Sequence, residues 1–165
     1  MILSKEELLK NARLKASENI NFQETVRLMN SSELDALAVP FIAKAYQDTD
    51  CLSCGNCCKE LRPPLTPSDI KRLSFDLNID EGRFKETYIE DTGHTDYQIM
   101  GCNPCSFLNG NACTVYEQRP DSCADYPHLH HPGLKYRIRS VLENYSVCPI
   151  VVRVVDELKI LVTSC

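Results

Sequence analysis

Four cysteines fall within eight residues, Cys51-Leu52-Ser53-Cys54-Gly55-Asn56-Cys57-Cys58, and no packing role requires so many soft donors so close together. A buried neutral cysteine behaves as a small hydrophobe and needs no particular spacing. Two thiolates separated by two residues, by contrast, can bind one metal ion from a tight turn. Gly55 follows the second cysteine, where the backbone must bend close to sulfur without a Cβ in the way. The 165-residue chain has ten cysteines in all. A second, dispersed group comprises Cys102, Cys105, Cys113, Cys123 and Cys148, and Cys165 is the last residue.

So many cysteines fit either a disulfide framework in a secreted protein or a metal site in a reducing compartment. The start, Met1-Ile2-Leu3-Ser4-Lys5-Glu6-Glu7, lacks the basic and then apolar pattern of a signal peptide. No apolar run approaches the roughly 20 residues of a membrane span. The expectation is a cytoplasmic metal-binding protein with no membrane association. A net charge of −5, with Lys and Arg scattered, argues against nucleic acid as the main partner. At this length, with 43% hydrophobic residues, the chain can bury a core without cross-links. Its cysteines are therefore not needed merely to fold it.

The coarse pattern is helical. The first 47 residues contain no cysteine. Ser4 with Glu7 has the form of a capping box ahead of Leu8, Leu9 and Ala12. Ser32 is positioned to cap a second helix through Leu34, Leu37, Ala38, Phe41, Ile42 and Ala45, and Pro40 predicts a kink or break in it. Thr66-Pro67-Ser68-Asp69 reads as a strong helix start, and Asp80 as the cap of a further short helix. Tyr97–Met100 and the alternating Lys135–Val141 read as strands that would pair in a small antiparallel ribbon. After Cys148-Pro149, the apolar residues Ile150, Val151, Val154, Val155, Leu158, Leu161 and Val162 recur at helical spacing. The expected fold is mainly α, with long irregular, cysteine-pinned loops and one small antiparallel ribbon. Its expected organisation is an N-terminal helical segment, residues 1–47, packed on a cysteine-cluster domain, residues 48–165.

The surroundings of the second cysteine group are distinctive: Cys105-Ser106-Phe107-Leu108, then Cys113-Thr-Val-Tyr116-Glu117-Gln-Arg119-Pro120-Asp-Ser-Cys123, then Tyr126-Pro127 and Cys148-Pro149. Arg119 either donates toward the thiolates or forms a surface ion pair with Asp121 or Glu117. This ordered set of motifs resembles the YkgJ-type cysteine-cluster family, whose members are described as zinc- or iron-chelating domains. The resemblance runs from Cys51 to Pro149 and implies eight metal-ligating cysteines: Cys51, Cys54, Cys57, Cys58, Cys105, Cys113, Cys123 and Cys148. Cys102 and Cys165 are extra. Ala124 stands where the family often has arginine, and Ser106 where it often has proline, so no role carries over for that arginine.

Eight thiolates fill two tetrahedral Zn(Cys)₄ sites, whereas one [4Fe–4S] cluster takes four of them. Soft donors suit both metals. The first group has the spacing of a ferredoxin run, which leans toward iron–sulfur. Among the eight, the later cysteines stand 8, 10 and 25 residues apart, so they supply no matching knuckle for zinc. His128, His130 and His131 sit in a proline- and glycine-flanked turn near Cys123 and are secondary ligand candidates. His94 reads as solvent-facing, and Cys165 as a terminal thiol. The leading functional reading is a metal-binding structural or interaction module with a protein partner. The alternatives are metal storage or delivery, or an enzyme. The flagellin lysine N-methylases, similar to this family, make methyl transfer or redox chemistry the enzymatic version. Against an enzyme, the chain has no glycine-rich nucleotide fingerprint.

Overall fold

The computed structural model describes residues 3–90, 93 and 98–163. Along the chain come the helices α1 (Lys5–Leu14), α2 (Ala16–Leu28), α3 (Ser31–Gln47), α4 (Cys51–Cys54) and α5 (Asn56–Glu60). Strand β1 (Pro64–Leu65) precedes α6 (Pro67–Asp76) and α7 (Glu81–Tyr88), which are followed by β2 (Ile89–Glu90) and β3 (Gln98–Met100). The hairpin strands β4 (Leu108–Asn109) and β5 (Ala112–Cys113) lead into a 3₁₀ turn at Tyr116–Gln118. The helices α8 (Asp121–Asp125), α9 (Leu134–Glu143) and α10 (Pro149–Thr163) complete the fold, which is mainly helical with a few short antiparallel strands.

Two compact units divide the chain: Met1–Asp50 with Pro127–Cys165, and Cys51–Tyr126. This partition differs from one of residues 1–47 and 48–165, because the C-terminal helices pack with the N-terminal ones. On α10, Ile150, Val151, Val154, Val155 and Leu158 are all buried, and this face packs against α3. Burial of that stripe supplies what β-branched residues cost in helix propensity.

The helical unit starts as its caps dictate. Ser4 and Glu7 form the capping box on α1. Asn30, rather than Ser32, caps α3, its Oδ1 accepting from the backbone N–H of Ser32 at 3.0 Å and of Glu33 at 3.3 Å. Asn is as good a cap as Ser, and the residue that begins the turn takes the role. Helix α3 continues through Pro40 without a break. Its buried residues Leu34, Ala38 and Ala45 flank the proline and hold the two halves to one surface.

Lys135–Val141 forms no strand. It lies in α9, whose buried residues Leu134, Ile138 and Val141 are spaced four and three apart. The alternation of basic residues gave a two-residue period, but the buried face follows the helical one. Asp35 fixes the start of α9, accepting from Gly133 N–H at 2.7 Å and Leu134 N–H at 2.9 Å. No helix among the described residues is long and apolar enough to cross a membrane.

In the cysteine-rich unit, Thr66 and Asp69 form a capping box on α6 with Pro67 at its first turn, and Asp80 caps α7. Strand β3 is central to a three-stranded antiparallel sheet of order β1-β3-β2, with Leu65 opposite Gln98 and Ile89 opposite Met100. The expected strand at 97–100 thus exists over its described residues, Tyr97 lying outside them, and pairs with β1 and β2. The core here is Leu65, Ile70, Leu73, Phe84, Met100, Phe107 and Val115, against which Cys105 and Cys113 pack. Phe84, Tyr88 and Phe107 form an aromatic group with centroid separations of 5.1, 4.9 and 6.5 Å.

Candidate metal centre

The first cysteine group is two short helices joined at Gly55. Its φ of +61° is left-handed, and the adjoining α5 begins at Asn56. A Cβ on Gly55 would lie 2.6 Å from the Asn111 carbonyl oxygen, so the turn of the β4–β5 hairpin sits directly on the glycine. Asn111 secures that seat: its Nδ2 donates to Ser53 O at 3.1 Å, and its Oδ1 accepts from Lys59 Nζ. Helix α4 packs against β5, bringing the segment of Cys51 and Cys54 to the strand that ends at Cys113. The Cys105 N–H donates to Cys58 O at 2.8 Å, tying α5 to the second group.

Cys123 is positioned from the other side. Ser122 Oγ, its neighbour in α8, donates to Pro64 O at 2.7 Å. Asp69, only 1% exposed, accepts from the Asp121 N–H at 3.1 Å and from Arg72 at 2.6 Å. Arg72 in turn donates to Arg119 O at 3.0 Å and pairs with Asp121. The Arg119–Asp121 segment is thereby clamped to α6. Burial alone would raise the Asp69 pKa, but hydrogen bonds from Thr66 and Asp121 and the Arg72 charge outweigh it and hold the carboxyl below its ordinary range. Replacing Asp69 with Ala leaves the Thr66 and Asp121 N–H groups without their acceptor and is expected to destabilise the protein by about 2 kcal/mol in urea denaturation. A depressed folded-state pKa means that this contribution is fully present above the ordinary Asp value of about 3.9. It is lost as the pH falls from there through the depressed value, so the gap between variant and parent should narrow in acid.

The cysteines converge electrostatically. A hydrogen bond donated to Cys57, then burial, then the Cys57 charge push the Cys58 thiol far up. Burial raises Cys105 and Cys113, and negative charge on Cys58 adds to both. Burial, with charge on Cys58, Cys105 and Cys113, pushes Cys123 up to about 12. Charge on Cys58 acts on Cys105, Cys113 and Cys123, charge on Cys113 acts on Cys105, and Cys57 acts on Cys58. All nine described cysteines carry thiols rather than disulfides. Such a group, deprotonated, repels itself, and a bound cation reverses the sign of the interaction. The donors are soft and half-buried, which fits zinc or iron.

Arg119 adopts a third arrangement. Its guanidinium lies 3.9 Å from the Tyr116 ring centroid and donates to Tyr116 O, while its charge draws the Cys113 pKa down against burial. Asp121 pairs with Arg72 instead. Cys148 belongs to the helical unit, buried immediately before α10. His128, His130 and His131 belong there too, with the His130 and His131 rings 4.5 Å apart and Arg137 holding the carbonyls of His128 and His131. His94 and Cys165 lie outside the described residues.

The family model CxxCxxCC, described as "Putative zinc- or iron-chelating domain", matches residues 50–149. The chain belongs to the CxxCxxCC family. The match begins beside Cys51, takes in the whole cysteine-rich unit and continues into the helical one as far as Pro149. No curated protein and no solved structure gives a significant match.

Proposed function

We propose that this protein is a metal-binding module of a reducing compartment, the cytoplasm, and that its metal is structural, holding a surface for a protein partner. Cys51, Cys54, Cys57, Cys58, Cys105, Cys113 and Cys123 supply thiolates to zinc or iron, and the family resemblance names Cys148 as an eighth. The observation that carries this reading is that the bond from Cys105 N–H to Cys58 O and the packing of α4 on β5 bring the Cys51–Cys58 segment to Cys105 and Cys113 among elements too short to be stable alone. Helices α4, α5 and α8 have four or five residues each, and β1, β2, β4 and β5 have two. Isolated helices shorter than about 12 residues are marginal in water, so these depend on packing and gain from an added constraint. Bound metal supplies that constraint, because its binding free energy becomes folding free energy.

Elemental analysis with acid-labile sulfide, on protein purified without oxygen, tests the proposal. About two zincs per chain would mean paired four-thiolate sites. About four irons with matching sulfide would mean a [4Fe–4S] cluster. Chain free of both metals, with unchanged folding, would refute the proposal. A strong chelator should unfold the cysteine-rich unit. Ready loss of metal with the fold intact would point to storage or delivery instead.

A further inference from the structure

Cys102 stands outside the eight cysteines of the family pattern, yet it opens the sequence Cys102-Asn103-Pro104-Cys105. This repeats the two-residue separation of Cys51 and Cys54, and of Cys54 and Cys57. Two thiolates so spaced can bind one metal ion from a tight turn. The second half of the chain therefore does contain a knuckle, hidden when only the eight matching cysteines are counted.

The structure holds this turn against the first cysteine group. Gly101 N–H, just before it, donates to Tyr88 O at 2.7 Å. Inside it, Asn103 Nδ2 donates to Glu60 O at the end of α5, at 3.0 Å. At its close, Cys105 N–H donates to Cys58 O at 2.8 Å. The last two bonds fasten the turn to the helix that carries Cys57 and Cys58. The Cys102 thiol is half-buried and hydrogen-bonded with the Ser106 hydroxyl, and charge on it acts on Cys105 alongside charge on Cys58 and Cys113.

With Cys102 included, the unit Cys51–Tyr126 holds Cys51, Cys54, Cys57, Cys58, Cys102, Cys105, Cys113 and Cys123, a full set for two four-thiolate sites. We propose that Cys102 is a metal ligand, paired with Cys105 as a second knuckle. This rests on the metal-binding reading above.

The test uses the full chain, stripped of metal and reloaded with cobalt(II), whose charge-transfer absorption reports bonds to thiolate. Cys102→Ala should lose part of that absorption and bind its weaker cobalt roughly ten- to a hundredfold less tightly, at least the loss typical of an outer-shell partner. If Cys102→Ala fails to fold, alkylation of the parent chain followed by mass spectrometry reads the same site. Cys102 should be protected in the loaded chain and react once metal is removed. The inference is overturned if Cys102→Ala keeps the parent spectrum and affinity, or if Cys102 alkylates equally fast with and without metal. A parent chain that takes up no cobalt, zinc or iron is a different result, because it removes the metal-binding reading itself.

Discussion

Replacing Cys58 with Ser is expected to strip metal from the protein and to unfold much of residues 51–126. Cys58 is the thiol whose charge reaches Cys105, Cys113 and Cys123, and its immediate neighbour is Cys57. Serine leaves the backbone bond from Cys105 to the residue 58 carbonyl available, so the loss isolates the sulfur. A serine hydroxyl is a hard, weakly acidic donor and a poor substitute for thiolate on zinc or iron. Structural zinc sites contribute apparent free energies of about 10–16 kcal/mol. A domain's entire stability is about 5–15 kcal/mol. Loss of a site therefore exceeds what the small apolar core of this unit can compensate. Elemental analysis should show at least one metal equivalent missing, and hydrogen exchange should show lost protection across 51–126. Helices α1, α2, α3, α9 and α10 have their own buried residues, including Leu8, Val26, Leu34, Ile138 and Val154, and should keep theirs. A Cys58→Ser protein with parental metal content and melting temperature would show that the thiols do not act as a centre.

What was legible in the sequence was local. Ser4 with Glu7, Thr66 with Asp69, and Asp80 announce helix starts because a cap is settled within four residues of chain. The apolar spacing after Pro149 identified α10 for the same reason. Lys135–Val141 misled because two periods were present at once, and only packing shows that Leu134, Ile138 and Val141 carry the burial. The association of residues 127–165 with the N-terminal helices was likewise unreadable, since it depends on which face of α3 receives α10. At the metal centre, the spacing of Cys51 to Cys58 spoke for itself, whereas the roles of Cys105, Cys113 and Cys123 came from resemblance. The clamp of Asp69, Arg72 and Asp121 went unseen because its members lie up to 52 residues apart and look like ordinary surface charges in sequence. Counting Cys102 with Cys105 would have exposed the second knuckle.

Gly55→Ala should be the most damaging change that leaves every thiol in place. Residue 55 has a φ of +61°, and an L-residue in the left-handed region costs about 1–2 kcal/mol. The new methyl would also stand 2.6 Å from the Asn111 carbonyl oxygen and 3.0 Å from its Cα, backbone atoms that cannot swing aside like a side-chain tip. Overpacking of this kind costs about a further 1–3 kcal/mol. Gly110→Ala is the matched comparison: φ is +63°, but nothing lies within 4 Å of the added Cβ, so only the backbone cost applies. Chemical denaturation of the metal-loaded chain should place Gly55→Ala well below Gly110→Ala. Metal content should separate them too, because Asn111 lies two residues before Cys113 while Gly55 lies between Cys54 and Cys57. A hairpin pushed off the glycine carries Cys113 away from those partners, so metal should be lost along with stability. Equal destabilisation of the two variants would mean that the hairpin does not seat on Gly55, and Cys113 would then need another route to the site.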